Sequence, residues 1–223
     1  MEPRFDPAPA PWATAVVLEG ERVRLEPLSR DHLDGLAAVA FDPTIWRWTI
    51  ARPTDRAGLE AWLEAALATA QGGTEVPFTT IDRPSGRPIG SSRFLNISPE
   101  NRRLEIGWTW LAPAFQRTGA NREVKLLQLT HAFETLGANR VEFKTDSRNE
   151  RSRAALLGIG AQFEGIFRNH VIMPDGPLRH SAWYAVTIED WPTVKSRLQG
   201  LLAGAGRATG HAAFAGPAIG GPA

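Results

Sequence analysis

The chain has 223 residues, 43% of them hydrophobic, enough to bury one sizeable core and closer to one domain than to two. With 25 Lys and Arg against 24 Asp and Glu, the formal charge is +1, which excludes a bulk pull toward nucleic acid or an anionic membrane and leaves only local basic clusters. Cysteine is absent, which excludes disulfides, thiolate metal sites and a cysteine-acylated intermediate, and a reducing cytoplasm suits such a composition.

Residues 1–15 read as a flexible leader rich in Pro and Ala, with no apolar core of signal-peptide length. No later run reaches the ~20 apolar residues that a bilayer requires. Arg22 to Glu26 alternates as a strand, and Ser29 offers a cap for a helix running to about Ala40. Thr54 is placed to cap a second helix, Asp55 to Gln71, with Leu59, Trp62, Leu63, Ala66 and Leu67 on one face and Gly72-Gly73 at its end. Three extended segments follow, Glu75 to Asp82, Pro88 to Ile97 and Arg103 to Leu111. The turns between them are short, so these segments are expected to pair antiparallel.

A helix from Gly119 to Leu136 carries Val124, Leu127, Leu129 and Phe133 on its apolar side and leads into a strand from Arg140 to Thr145. Strand, helix and strand form a crossover, which predicts a parallel step in the sheet. Another helix is expected over Asn149 to Leu157. Then come a hairpin, Phe163 to Met173 and Leu178 to Thr187, and a closing helix from Asp190 to Leu201. Residues 203–223 are dominated by Gly, Ala and Pro and are expected to be a disordered tail, which leaves 16–202 as a single domain. The predicted class is α+β, a mixed sheet that is antiparallel early and has one parallel step, flanked by helices.

The segment Leu111-Ala-Pro-Ala-Phe-Gln-Arg-Thr-Gly-Ala-Asn121 joins the predicted strand to the crossover helix through a glycine turn. Backbone N–H groups of Arg117, Thr118, Gly119, Ala120 and Asn121 lack intrahelical acceptors there, and the helix dipole adds positive potential. The turn therefore reads as an anion cradle suited to a phosphate-bearing ligand. It has neither the Gly-Lys-Ser/Thr ending of a Walker loop nor the three glycines of a dinucleotide fold.

The pattern Gln116-x-x-Gly119-x-Asn121 resembles the pyrophosphate loop of the GNAT superfamily of acyl-CoA-dependent N-acyltransferases, with Asn121 departing from the usual last residue. Three other segments resemble the RimJ/RimL branch of that superfamily: Leu18 to Leu28, Arg103-Leu-Glu-Ile-Gly-Trp-Thr-Trp110, and Asn149-Glu-Arg-Ser152 with Leu157-Gly-Ile-Gly-Ala161. The resemblance runs from roughly Leu18 to Leu198. It implies a GNAT-type sheet with a splayed parallel strand pair, and acetyl-CoA as co-substrate.

Carried over, it places the pyrophosphate on the amides of Arg117, Thr118, Gly119, Ala120 and Asn121 behind Gln116. It sets the pantetheine arm against backbone near Trp110 and Leu111, with Asn149 bonding that arm. Glu105 would be the general base, directly or through water, and Ser152 would give a hydrogen bond or proton to the CoA sulfur. Trp46 and Trp48 would border the acceptor cleft. The implied partner is an amine, a protein N-terminus or a small molecule. Neither nucleic acid nor a membrane is expected, and a homodimer is compatible with the family.

Plainer structural readings stand beside these roles. Glu105 lies near Arg102 and Arg103 and could serve only a surface ion pair, and Ser152 could merely open a helix. The Gly119 turn could be an ordinary connection, and the tryptophans could be core. His170 and His180 have no third partner at ligand spacing, so no metal site is expected. A competing functional reading is an acyl-CoA binder that has lost catalysis and serves as a sensor or scaffold.

Overall fold

The computed structural model describes residues 12–209. One eight-stranded sheet runs β1-β2-β3-β4-β5-β6-β8-β7. Its strands are β1 (Leu18–Glu19), β2 (Val23–Pro27), β3 (Val76–Asp82), β4 (Arg87–Ser98), β5 (Arg103–Leu111), β6 (Arg140–Asp146), β7 (Gln162–Ile172) and β8 (Leu178–Thr187). The helices are α1 (Leu33–Ala37), α2 (Pro43–Trp46), α3 (Arg56–Gln71), α4 (Ala120–Thr130), α5 (Glu150–Ile159) and α6 (Trp191–Thr209). The mixed class with one parallel step is therefore as expected, because only β5 and β6 pair parallel.

Two apolar clusters sandwich the sheet. The larger joins Leu104, Ile106, Val124, Leu129, Val141, Tyr184 and Leu198 on the side of α4 and α6. The smaller gathers Leu36, Trp46, Leu59, Trp62, Leu63 and Trp110 under α1 and α3. Each sheet face is thus covered over its centre, as the alternation of a two-sided sheet requires. Tyr184 is fully buried within the sheet core. The strand at the edge, β7, leaves Phe163, Ile166, Phe167 and Ile172 exposed.

Several boundaries differ from the sequence expectation. The first helix divides into a 3-10 turn at Arg30–His32 and the short α1, within which Gly35 lets Pro88 approach so closely that a Cβ there would lie 2.6 Å from Pro88 Cγ. Asp55, not Thr54, caps α3, its carboxylate accepting from Gly58 N at 2.8 Å. Helix α2 is an addition, opened by Asp42 at the cap and Pro43 at the first helical position. The crossover helix is α-helical to Thr130 and finishes as a π turn over His131–Thr135. The closing helix continues past Leu201 to Thr209, where alanines favour helix enough to carry it through the glycines. Trp12, assigned to the leader, is buried against the main core. The rest of the tail, 210–223, and residues 1–11 lie outside the described residues.

Candidate active site

The parallel pairing of β5 with β6 stops almost as soon as it begins. Arg103, Leu104 and Glu105 align with Arg140, Val141 and Glu142, and beyond Glu105 no residue of β6 pairs with β5. β6 stays with β8 up to the pair Asp146↔Ser181, while β5 stays with β4 up to Gly90↔Leu111. The strands therefore diverge into a notch, and the backbone of β5 from Ile106 to Leu111 presents an edge that β6 does not use. An unpaired strand edge of this kind suits an amide-rich ligand arm.

A bulge re-aims that edge. Between the pairs Arg93↔Gly107 and Ser91↔Trp110, β5 contains one more residue than β4, and Trp108 takes a left-handed backbone with φ 50°. Gly90, paired with Leu111 just past the bulge, has to lack a side chain, since a Cβ there would collide with the carbonyl of Trp110. Trp110 itself turns into the smaller core, with ring centroids 5.1 Å from Trp46 and 6.1 Å from Trp62. Trp110 and Leu111 can thus serve a ligand only through their backbone.

After β5, Arg117 (φ 64°) and Gly119 (φ 95°) adopt left-handed conformations on either side of Thr118. Such an alternation turns successive N–H groups toward one point and forms a nest for an anion. Among the described residues the N–H groups of Arg117, Thr118, Gly119 and Asn121 have no protein acceptor, and that of Ala120 has only a long contact of 3.5 Å to Thr118 Oγ1. Exposed Arg117 and Arg122 form no salt bridge among the described residues.

This cradle is held from behind. The Glu123 carboxylate accepts from the backbone N–H groups of Glu21 at 2.6 Å, Arg22 at 3.0 Å and Val23 at 2.9 Å, and Arg22 Nη1 donates to the Thr118 carbonyl at 3.0 Å. Gly20 makes room for that carboxylate, since a Cβ there would lie 2.5 Å from Glu123 Oε1.

Helix α5 begins on the other side of the notch, after β6. Its cap is Asn149, whose Oδ1 accepts from Ser152 N at 3.1 Å. Asn149 is thereby engaged as a helix cap, and Ser152 sits half-buried in the first turn with its hydroxyl unpartnered among the described residues. Gln116 is a brace: its Nε2 donates to the Leu111 carbonyl at 2.9 Å and its Oε1 accepts from Arg151 Nη1 at 2.6 Å. Of the other arginines near the loop in sequence, Arg153 points inward to Tyr184 Oη and the Ser147 carbonyl.

At the root of the notch lies Glu105, only 1% exposed. Lys144 Nζ is 3.0 Å from its Oε2, and Asn96 Nδ2 donates to the same atom at 2.7 Å. Burial raises its pKa above the usual carboxylate range, Lys144 and Asn96 oppose that rise, and Glu142 adds to it. Of the arginines weighed as plain ion-pair partners for it, Arg103 turns to Glu142 at 3.3 Å. Trp46 is buried behind the β5 edge, 3% exposed with its Nε1 bonded to the Ala40 carbonyl and its ring 5.1 Å from that of Trp110, whereas Trp48 reaches the arginines of this face. The Trp48 ring lies 5.4 Å from the Arg148 guanidinium, and the Trp48 carbonyl accepts from Arg179 at 3.4 Å.

The opposite face of the notch holds a residue that the sequence reading did not single out. Lys125, on α4, is buried and bonds to Thr109 Oγ1 at 2.7 Å, Gln128 Oε1 at 3.3 Å and Ser92 Oγ at 3.4 Å, with no carboxylate partner. Burial lowers its pKa to about 7. Lys144 and Asn96 were missed as well. Period-2 spacing from Glu142 could have placed Lys144 on the Glu105 face, whereas Asn96 arrives through a β4 irregularity with no sequence signature. Among the described residues no group of His, Asp and Glu is arranged to hold a metal, and no helix is long and apolar enough to cross a membrane.

Residues 22–162 match the family described as "Acetyltransferase (GNAT) domain". A GCN5-related N-acetyltransferase from Brucella melitensis is 34% identical, with a TM-score of 0.79 over 85% of this chain and 86% of that one. The "Uncharacterized N-acetyltransferase p20" of Bacillus licheniformis is 26% identical over 151 residues, covering 67% of this chain and 84% of that protein. RimJ of Mycobacterium smegmatis, solved with CoA-disulfide, shares the fold at 21% identity and TM-score 0.70, covering 86% of this chain and 96% of that one. A notch opened by a bulged strand, an amide nest beside it and a family match over most of the core together place this chain in the GNAT acetyltransferase family.

Proposed function

We propose that this protein transfers an acetyl group from acetyl-CoA to an amine by direct attack in a ternary complex. The observation that carries the reading is the notch beyond Glu105, open beside the nest at Arg117 to Asn121. In this reading the nest N–H groups hold the diphosphate, with Gln116 bracing the loop, and the free edge of β5 near Trp110 and Leu111 pairs with the pantetheine amides. Asn149 and Ser152 stand at the far wall.

The amine nitrogen attacks the thioester carbonyl carbon, and the resulting oxyanion is stabilised by N–H groups of the bulged edge. Glu105 takes the proton lost by nitrogen, directly or through a water, a task suited by a pKa held above the ordinary carboxylate range. The C–S bond then breaks as the sulfur takes a hydrogen bond or proton from the Ser152 hydroxyl; water relays the proton held by Glu105 to the serine or directly to the thiolate, leaving the amide, the free CoA thiol and the starting carboxylate. The reducing cytoplasm is the setting that this chemistry and the cysteine-free chain suit.

Calorimetry with acetyl-CoA, combined with thiol release across an amine panel, tests the proposal. Micromolar binding with acceptor-dependent thiol release is expected. Gly119→Val should weaken CoA binding by at least tenfold, because a β-branched residue is strained at φ 95° and would displace the amides. Undiminished affinity in that variant would remove the nest from the site. One observation favours the binder as a second reading: Glu105 is enclosed and already engaged by Lys144 and Asn96. Tight CoA binding without thiol release for any acceptor would establish it.

A further inference from the structure

On the same face of the sheet as Glu105 is a cation that forms no salt bridge among the described residues. Arg179 opens β8 and is 9% exposed. Its Nη1 reaches the Trp48 carbonyl at 3.4 Å, its Nε is buried with no partner, and it forms no salt bridge among the described residues. The acids that it feels most are Asp146 and Glu105, and both are committed elsewhere. Asp146 accepts from Arg148 through its backbone N–H, Nε and Nη2, and Glu105 is shared by Lys144 and Asn96. His170, bonded to Ser181 Oγ at 3.0 Å, has its pKa lowered by burial and further by Lys144 and Arg179.

A buried guanidinium left unpaired is costly, and the cost is relieved when a ligand brings the missing charge. We propose that Arg179 is the acceptor's anion-binding residue, and that the acceptor is a small amine that also carries a carboxylate. Resting on the transferase reading above, this inference names the substrate class of the same site. The guanidinium's planar fork matches a carboxylate, and its place on the Glu105 face of the sheet would let one small molecule bring its carboxylate to Arg179 with its amine toward the base. Enclosure of Arg179 under the Trp48 segment favours a small molecule over a protein chain. A single carboxylate is also the simplest match for one unpaired cation, whereas a phosphate would call for more donors.

The test compares amino acids with their carboxamides as acceptors, for example glycine with glycinamide and glutamate with its α-amide, at saturating acetyl-CoA. At least one carboxylate member should exceed its amide by tenfold or more in kcat/KM. Arg179→Met should erase that preference chiefly through KM while CoA affinity stays at the wild-type value, and Arg179→Lys should restore part of it. Equal rates within every pair, a preference that survives Arg179→Met, or preferential use of peptide N-termini would overturn the proposal. In parallel, the same carboxylates are titrated calorimetrically onto the protein saturated with CoA. Binding that disappears in Arg179→Met supports the anion site even if no acceptor releases thiol, an outcome that would sink the transferase reading alone. No binding to the wild type overturns the site itself.

Discussion

Two lysines flank the opening of the sheet and are held in opposite ways. On the face of α1 and α3, Lys144 meets the Glu105 carboxylate at 3.0 Å, so two partly desolvated charges offset one another. On the face of α4, Lys125 is surrounded by Thr109, Gln128, Ser92 and the Phe143 ring 6.0 Å away, with hydroxyl and amide oxygens in place of a carboxylate. Neutral oxygens solvate a charge less well than a counter-ion or water does, which is why burial brings the Lys125 ammonium down to a pKa of about 7. In the proposed mechanism the contrast separates two tasks: the first face would tune a carboxylate for proton transfer, and the second holds the bulged strand and the nest in place.

The largest expected effect breaks the first face. Glu105→Gln should lower kcat by about 10²- to 10⁴-fold with CoA affinity unchanged, the range for removing a general base. Steady-state kinetics beside calorimetry checks this, and an unaltered kcat would leave Glu105 a purely structural partner of Lys144.

On the second face the change should appear in stability. Glu123→Ala leaves the N–H groups of Glu21, Arg22 and Val23 without their carboxylate, and hydrogen bonds to charged groups are worth about 1.5–3 kcal/mol each where no substitute is found. With water rescuing part of the loss, urea denaturation should show a loss of about 3 kcal/mol. A loss below about 0.5 kcal/mol, the ordinary range for a surface substitution, would mean that the clamp is dispensable.

Lys125 sharpens the comparison through pH. Between about 7, its folded pKa, and 10.5, its ordinary value, the unfolded chain keeps a proton that the folded chain has shed. Stability therefore rises with pH across that window, by at most about 1.4 kcal/mol per unit from this group. Lys125→Met should lack that contribution, so urea denaturation from pH 7 to 9.5 should show wild-type stability rising relative to that of the variant. Parallel curves would show that Lys125 keeps its proton.

The smallest effect concerns Lys144. Its charge and hydrogen bond pull the Glu105 pKa down against desolvation, so Lys144→Met should move the acid limb of the kcat/KM profile upward by about one pH unit. A limb that stays in place or moves down would separate this pair from the rate.

Much of the secondary structure was legible because the period-2 strands and the 3.6-residue helix faces are long and punctuated by turn residues. Segment Arg103–Leu111 was bounded at the right residues, and the crossover correctly predicted the parallel step. What escaped were features set by contacts distant in sequence: the close approach of Gly35 to Pro88, and the burial of Trp12. In the site, the left-handed turn at Gly119 was readable from its glycine. The left-handed Arg117 and Trp108 were not, since neither residue type advertises positive φ. Asn149 and Gln116 were read as ligand contacts and are engaged within the protein as cap and brace.

The sequence by itself determined the order of strands and helices, the glycine turn between β5 and α4 and the family pattern, because periodicity, capping and turn chemistry act over a few residues. Tertiary structure alone decided where β5 parts from β6, that Lys144 rather than a neighbouring arginine partners Glu105, and that Arg179 and Lys125 are buried without carboxylates. Charge pairing and desolvation depend on which distant segments meet across the sheet, and only the packed fold sets those distances.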